Sequence, residues 1–537
     1  MNSIITLSGS HKQAAQGKVV GEVAPNKVLF ASVQTPTAME PEAIARLLAD
    51  IRSGKRAPLT PAELKKVLGS KPEHVRAVKQ AIKKAGLTPD TRSLADQAHG
   101  IVRFHGTYSR FQKFSPGLKL VVVEDAKGNR SITRQGPLNV LAGLPIVGFF
   151  GLDEREAAHT HFRIHKPKGK QPLAIPRGLT SRGLAQLQGW NLEEMDQTVR
   201  VTGYISLGGD NVRIVNDLKT LAGEAGIKAA TVLRKSTDGS TNGKYSDDAT
   251  VENILDLLAQ ALLNPNGAVV VFAASNSDDA FAGAAEYANV FPGVTAGGKK
   301  IKLSGYSISW GMAESANTRQ SLERWARIGT AAQLAGLDVW AATGDDGAND
   351  RTDAPTPDSP SDIPEIQGAA GVGITSDGKK VTSIFPWDDA AAGGGETGYG
   401  ISTVFAPTPE ESGLNLPVSA VSGKPGHSAS LLADLAQPKS GPVVLWNGRR
   451  MQVGGTSHSA PIQCAKGTYL KVKFGIVSFK HFTYQHGPEI VDRITQGDSS
   501  GPYPADPSKP YNVMTGFGVL NPTAAAAVAE RLSGRKA

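Results

Sequence analysis

The sequence predicts an α/β protein in which a parallel β-sheet with helices on both faces follows a smaller α+β domain. Two observations carry this prediction. From about residue 181, short apolar runs alternate with amphipathic helical patterns along the remaining 357 residues, which is typical of a parallel sheet covered on both faces. Before that point the chain shows a hairpin, short helices and a strong excess of positive charge.

Composition excludes several other classes of protein. The chain has 537 residues, 40% of them apolar, which is enough for a large core in two or more domains. Its single cysteine, Cys464, excludes an intramolecular disulfide and any multi-thiolate metal site. No stretch approaches the ~20 uninterrupted apolar residues of a membrane-spanning helix, and residues 1–32 hold no hydrophobic segment of signal-peptide type.

Charge divides the chain in two. The first 180 residues carry 28 Lys and Arg against 13 Asp and Glu, whereas the remainder carries 30 against 36. Two units that attract each other would give this pattern, and so would a basic nucleic-acid-binding arm or ordinary solvated helix faces. The charge alone leaves these three interpretations open.

The first 165 residues are predicted to form the α+β domain. Pro61 and Pro72, each followed by an acidic residue, are typical of helix starts. Residues 101–104 and 118–123 favour strands, and a turn at 126–129 would close a hairpin. Residues 166–180, rich in Pro, Lys and Gly, are predicted to be an exposed linker.

Residues 181–537 are predicted to form the parallel α/β domain. Its buried strands are predicted at 199–207, 268–273, 339–342 and 371–374, and its helices at 216–225, 249–263 and 321–335. The acidic, proline-rich stretch 350–364 is expected to be a surface loop.

The first candidate for chemistry is a serine. Gly455-Thr456-Ser457 would present a hydroxyl at the start of a helix, where backbone N–H groups can stabilise an oxyanion. An ordinary turn with Ser457 as a helix N-cap is the competing interpretation.

The base for such a serine is expected to be a carboxylate. No histidine occurs between residues 181 and 426, and His105 lies in the basic N-terminal part beside a predicted strand. Glu252 and Asp256 are spaced i, i+4 on the 249–263 helix, so their carboxyls are neighbours and would share a proton in acid. A solvated acidic helix face is the alternative.

Asp345 follows a buried strand and could, when protonated, donate a hydrogen bond to an oxyanion. The alternative is that Asp345 is only part of a surface turn.

Taken together, these residues resemble the sedolisin family of serine-carboxyl peptidases, in its kumamolisin-like branch. The similarity covers nearly the whole chain and lies in the Gly-Thr-Ser block, the Glu-x-x-x-Asp helix, the strand before Gly-Asp-Asp-Gly, and the strand of Ser309, Trp310 and Gly311. The N-terminal domain resembles the family's activation propeptide, which includes His161-Phe162-Arg163.

The resemblance implies a role for each candidate. Ser457 would be the nucleophile, Glu252 the general base and acid, Asp256 its orienting partner, and Asp345 part of the oxyanion hole. Ser309, Trp310 and Gly311 would pair with the substrate backbone. The implied fold is a subtilisin-like parallel sheet behind a propeptide.

The resemblance also implies an activity. We expect an acid-active serine endopeptidase that acts on proteins or peptides, is made as a zymogen autoprocessed within the 166–180 linker, and is inhibited by its own propeptide. It would be a secreted monomer without nucleic-acid or membrane partners. The alternatives are a weak or inactive binding protein on the same scaffold, with a basic interaction domain, and a histidine-based subtilisin, which the missing histidine opposes.

Two departures from the family pattern affect these expectations. Calcium is usual in the family, but Arg493 and Asn512 stand where carboxylates would bind it, and Asp492 and Ile494 are the only remnants of the site. The sequence therefore predicts no cofactor and no metal, with Arg493 substituting for the cation. Ser206 stands where the kumamolisin-type outer glutamate is expected, which should alter how the carboxyl pair titrates.

Overall fold

The structure is a computed structural model of the chain. It describes residues 3–13, 15, 17–126, 128–165, 179–240, 243, 248–296, 299–446, 448–498 and 501–534. They form two compact units. The first comprises Met1–Ala158, Ser275–Val290 and Ser315–Ala335, and the second comprises His159–Ala274, Phe291–Glu314 and Gly336–Ala537.

The described residues up to Ala158 form short strands and five helices. In chain order these are β1 (Ile4–Thr6), β2 (Lys18–Glu22), β3 (Val28–Gln34), α1 (Pro41–Arg52), α2 (Pro61–Val67), α3 (Pro72–Lys84), β4 (Thr88–Pro89), α4 (Leu94–His99), β5 (Ile101–Thr107), α5 (Tyr108–Phe114), β6 (Lys119–Glu124), β7 (Arg130–Gln135), β8 (Asn139–Leu141) and β9 (Gly148–Gly151).

The rest of the chain alternates strands and helices. The elements are β10 (His159–Thr160), β11 (Arg163–Ile164), α6 (Ser181–Leu187), α7 (Leu192–Gln197), β12 (Val201–Ser206), α8 (Ile214–Glu224), β13 (Thr231–Ser236), α9 (Asp248–Ala261), β14 (Ala268–Ala273), α10 (Asp278–Asn289), β15 (Val294–Ala296), β16 (Lys299–Ile301), β17 (Leu303–Ile308), β18 (Trp310–Ala313), α11 (Arg319–Leu334), β19 (Asp338–Ala342), β20 (Asp358–Ser359), β21 (Gln367–Ser376), β22 (Val381–Pro386), β23 (Leu432–Leu435), β24 (Val443–Trp446), β25 (Arg449–Gly454), α12 (Thr456–Phe474), α13 (Phe479–Ile490), β26 (Val491–Asp492), β27 (Val519–Leu520) and α14 (Pro522–Ser533).

In the first unit an antiparallel sheet packs against helices. Its strand order is β4-β5-β3-β9, and α10 and α11 pack against its edge strand β9. The predicted helix starts at Pro61 and Pro72 and the β6–β7 hairpin are confirmed. Helices α10 and α11 belong to the later part of the sequence, yet they complete this unit.

The second unit is built on a ten-stranded sheet. Its order is β13-β14-β12-β17-β19-β21-β23-β27-β26, with β22 paired to β21. From β13 to β27 neighbouring strands are parallel, and β22 and β26 are antiparallel additions. Helices α12 and α9 pack against this sheet and against each other. The predicted α/β class is confirmed, because each predicted strand coincides with one of these central strands.

One expectation about exposure is wrong in part. Of the stretch 350–364, which is predicted to be a surface loop, Arg351, Asp353 and Ala354 are exposed, whereas Asp358 and Asp362 are fully buried. The reason is that β20 pairs with β18. Residues 356–363 are buried there, and hydrogen bonds compensate for the lost hydration of their backbone.

The compact units follow the predicted domains in part. Residues 159–165 group with the second unit rather than with the residues before them. The predicted linker lies largely outside the described residues, because 166–178 are not described. Among the helices that are described, none combines the length and apolarity needed to cross a membrane.

Candidate active site

Ser457 lies in the first turn of α12, directly after β25. The turn between them depends on Gly455, which has φ 111°, in the region that favours glycine. A Cβ at this position would lie 2.2 Å from the His161 carbonyl oxygen and 2.7 Å from Asp345 Oδ2. The glycine therefore lets three chain segments meet at the N-terminus of α12, where the helix dipole favours negative charge.

The Ser457 backbone and hydroxyl contact two other segments of the second unit. Its N–H donates to the His161 carbonyl oxygen at 3.0 Å. Its Oγ donates to the Ser309 carbonyl at 3.2 Å, and the Ser309 hydroxyl donates to the Ser457 carbonyl at 3.3 Å. Ser457 is completely buried in this arrangement. The expected nucleophile is thus positioned against a peptide carbonyl of the same chain.

Glu252 and Asp256 lie one turn apart on α9, and both are completely buried. The solvated-face interpretation is therefore excluded for this pair. Glu252 Oε2 accepts from the His161 N–H at 3.2 Å. Asp256 Oδ1 accepts from the Ser307 and Ser309 hydroxyls, each at 2.9 Å.

The two carboxyls bind protons more tightly than usual. Burial raises the pKa of Glu252 well above its ordinary value, and the Asp256 carboxyl raises it further, although the nearby Ser457 side chain lowers it. Burial also raises the pKa of Asp256, against the hydroxyls that donate to it. Adjacent buried carboxyls do not both ionise readily, so the pair holds at least one proton across the acid range.

Asp345 directly faces the same carbonyl. Its Oδ1 accepts from the Thr456 N–H at 2.8 Å and from the Thr456 hydroxyl at 2.9 Å. Its Oδ2 faces the space next to the His161 carbonyl oxygen and lies 3.6 Å from Arg163 Nη1. Burial raises the pKa of Asp345, although Arg163 opposes this. Among the described residues, the buried Oδ2 has no hydrogen-bond partner, so a proton on it would be free to donate to a group that enters this space.

The segment that carries this carbonyl lies across the site as an extended strand. On one side β10 pairs antiparallel with β18, with His159 opposite Gly311 and Thr160 opposite Trp310. On the other side β11 pairs antiparallel with β25, which leads into the serine turn. The peptide bond after His161 is thus held between two short sheets.

Sequence reasoning missed several of these residues. Ser307 supports Asp256 and in turn accepts from the Gln260 amide at 3.0 Å. Its position two residues before Ser309 on one strand is the signal that could have indicated it, because such residues share a face. Thr456, which holds Asp345, is adjacent to the serine already identified.

Other predicted positions lie in different surroundings. The Ser206 hydroxyl donates to the Gly208 carbonyl at 3.0 Å and accepts from the Asn211 amide at 3.0 Å. His105 lies on β5 of the first unit and contacts Asp90 at 2.7 Å.

The residues at the family's calcium position do not fit a calcium ion. The Asn512 side-chain oxygen accepts from the Asp506 N–H at 2.6 Å, and the Asp492 carboxylate accepts from the Asn521 amide at 2.8 Å. Arg493 is exposed next to them and adds a positive charge. Because a calcium ion needs several free oxygen ligands, the donor set is unsuitable. The cation role of Arg493 stays a prediction.

Comparison with known proteins finds two curated relatives. No family model matches the chain. Kumamolisin of Bacillus sp. (strain MN-32) is 30% identical over 370 residues, which cover 66% of this chain and 64% of that protein. Sedolisin of Pseudomonas sp. (strain 101) is 25% identical over 341 residues, which cover 59% of this chain and 56% of that protein. The chain thus spans less than two thirds of the curated relatives it matches.

A solved structure shows the same fold. It is Pseudomonas sedolisin, a serine-carboxyl proteinase complexed with two molecules of pseudo-iodotyrostatin, with a TM-score of 0.55 and 20% identity. The match covers 66% of this chain and 99% of that one. In sequence and in fold, this chain is therefore similar to members of the sedolisin family.

Proposed function

We propose that the chain is an acid-active serine endopeptidase made as a zymogen that cleaves itself. One observation carries the proposal: the His161 carbonyl accepts from the Ser457 N–H, the His161 N–H of the preceding peptide unit donates to Glu252, and Asp345 Oδ2 lies close to the same residue. This is the arrangement that acyl transfer needs, with a nucleophile, a base and oxyanion donors around one carbonyl.

The chemistry follows from these positions. Ser457 Oγ attacks the carbonyl carbon while its proton passes to Glu252, and Asp256 holds Glu252 in place. The charge that develops on the carbonyl oxygen is stabilised by the Ser457 N–H and by protonated Asp345. Glu252 then returns the proton to the leaving nitrogen, the C–N bond breaks, and an acyl-enzyme remains. Water, which gives a proton to Glu252, hydrolyses that ester and regenerates the serine.

An acid optimum follows from the carboxyls. Asp345 must be protonated in order to donate, and its raised pKa makes this state available in mild acid. We infer that the carboxyl pair acts with one shared proton, and burial and proximity favour that state as well. Both conditions fail as the pH rises, so we expect activity to decline towards neutral pH.

The chain's own segment supports the zymogen part of the proposal. Residues 159–164 pair with Trp310 and Gly311 on one side and with β25 on the other, as we would expect of a bound peptide. We infer that protein substrates pair with β18 in the same way. We further infer that the first bond cleaved is His161–Phe162, which lies before the 166–180 linker.

The test follows the mass of the full chain at about pH 4 and about pH 7. We expect loss of the first 161 residues in the wild type in acid only, and no loss in Ser457→Ala. Ser459→Ala is the matched control, because its hydroxyl donates to the Ala370 carbonyl instead. An unchanged wild-type mass, together with no cleavage of added peptides, would favour the alternative of an inactive binding protein. The secreted, monomeric state stays a prediction.

A further inference from the structure

A cluster of imidazoles and carboxyls lies next to the segment in the site, outside the catalytic residues. His159 and His161 are two residues apart on an extended strand, so their side chains point to the same side. Asp358 comes from β20, which pairs with β18, the strand that holds β10. Asp350 reaches the cluster from the loop after β19.

The ligand atoms of this cluster are close together. One atom each from His159, His161 and Asp358 lies within 4.8 Å of the other two. His161 Nε2 is 3.1 Å from Asp358 Oδ2, and His159 Nε2 is 3.9 Å from Asp350 Oδ1. Ligands around a tetrahedral zinc ion, with bonds of about 2.1 Å, are separated by about 3.4 Å. Small side-chain rotations would therefore suffice for coordination.

These atoms are buried and poorly satisfied by the protein. Within the part of the chain that the structure describes, both ring nitrogens of His161, Nε2 of His159 and all four carboxyl oxygens of Asp350 and Asp358 lack a well-aligned hydrogen bond. His161 and Asp358 are completely buried. Buried polar atoms normally form hydrogen bonds. A group of seven buried nitrogen and oxygen atoms without a well-aligned hydrogen bond therefore indicates a missing partner.

The charges of the surroundings indicate what that partner is. The guanidiniums of Arg163 and Arg351 both bind Asp346, at 2.8 and 2.7 Å. Two further carboxyls, those of Asp350 and Asp358, lie close to each other, and among the described residues their charged-pair partners are the imidazoles of His159 and His161 rather than an arginine or a lysine. A divalent cation would supply the positive charge and accept the imidazole lone pairs. Mixed nitrogen and oxygen ligands favour zinc-like ions over calcium or magnesium.

We propose that His159, His161 and Asp358, with Asp350 as a fourth ligand, bind a divalent transition-metal ion such as Zn²⁺. Because two ligands belong to the segment in the active site and two to β20 and the loop after β19, the bound ion would hold that segment in place, and we call this effect the latch. The metal site is inferred from the distances and burial of its ligands alone. The effect of the bound ion on self-cleavage also rests on the proposed function.

The binding test uses the full chain with Ser457→Ala, which cannot cleave itself under the proposed mechanism. Titration calorimetry with Zn²⁺ at neutral pH is expected to show one site per chain. His159→Gln and Asp358→Asn, each added to this variant, should weaken binding at least about tenfold. His105→Gln is the control, since His105 lies in the first unit with Asp90, and it should leave binding unchanged. Melting temperatures without metal show whether each variant is folded.

The outcomes separate the site from the function. No zinc binding to folded Ser457→Ala, or equal binding in His159→Gln and Asp358→Asn, overturns the site. If the wild type cleaves itself in chelator, saturating Zn²⁺ should slow that cleavage at least tenfold, and an unchanged rate overturns the latch. If the wild type never cleaves itself even in chelator, the proposed function fails, while the calorimetry still decides the site.

Discussion

Replacing Arg103 by methionine tests how the first unit holds helix α10. The Arg103 guanidinium lies 2.5 Å from Asp279, 2.9 Å from Asp96 and 3.4 Å from Glu286. Burial alone would raise the pKa of Asp279, but Arg103 and Arg324 outweigh it and lower the pKa to about 2. The N-terminal strand β5 is thus joined by charge to a helix from the later sequence.

The pKa shift gives the magnitude and its sign. Lowering the pKa of Asp279 from 3.8 to about 2 corresponds to about 2 kcal/mol of folding free energy. A lowered carboxyl pKa stabilises the fold above pH 3.8, and the contribution is lost as the pH falls through about 2. At about pH 4 Asp279 is therefore still ionised, so mild acid does not break this contact.

The assay is urea unfolding of the Ser457→Ala chain, with and without Arg103→Met, between pH 7 and pH 2. At pH 7 the substitution should cost about 3–5 kcal/mol, because it leaves a buried carboxylate without its main partner. That cost should shrink by up to about 2 kcal/mol at the lowest pH, where Asp279 becomes protonated.

The control is Arg76→Met, which removes an exposed positive charge on α3 and should cost little at any pH. A cost of Arg103→Met that is the same at pH 7 and pH 2 would refute the assignment of this stability to ionised Asp279. The result also bears on activation: because this contact survives mild acid, release of a cleaved N-terminal segment would have to begin with other charges.

Three further predictions concern the active site. Gly311→Ala should slow self-cleavage at least about tenfold, because the added Cβ would lie 1.9 Å from Asp358 Oδ1 and distort the strand that holds the segment. Arg163→Gln should let cleavage continue about one pH unit higher, since loss of the guanidinium raises the pKa of Asp345 further and keeps it protonated. Asp256→Asn should move the acidic limb of the peptidase pH profile to lower pH, because it removes the charge that raises the pKa of the adjacent general base.

Matched substitutions separate these effects from general damage. Gly223→Ala on α8 meets no atom within 4 Å and should leave cleavage unchanged. Arg213→Gln removes a mostly exposed guanidinium from the second unit and should leave the pH range unchanged. Cleavage at the wild-type rate in Gly311→Ala, or unshifted pH profiles in the other two variants, would contradict the respective assignment.

Local patterns were enough to predict the elements of the sheet and the carboxyl pair. Residues 268–273 are apolar throughout and form β14, because a central parallel strand is buried on both faces. Glu252 and Asp256 lie one helical turn apart, so their proximity follows from helix geometry. The burial of residues 356–363 was not predictable in this way, because β20 within them pairs with β18, which is distant in sequence.

The sequence by itself determined the parallel α/β class, the helix that carries the carboxyl pair and the glycine turn that presents Ser457. Each of these depends on residues within about one or two turns of chain, where spacing fixes geometry. Only the tertiary structure decided that residues 159–164 lie across Ser457, that helices α10 and α11 complete the first unit, and that two histidines meet two aspartates. Those contacts join segments far apart in sequence, and such pairing depends on the packing of the whole chain rather than on any local pattern.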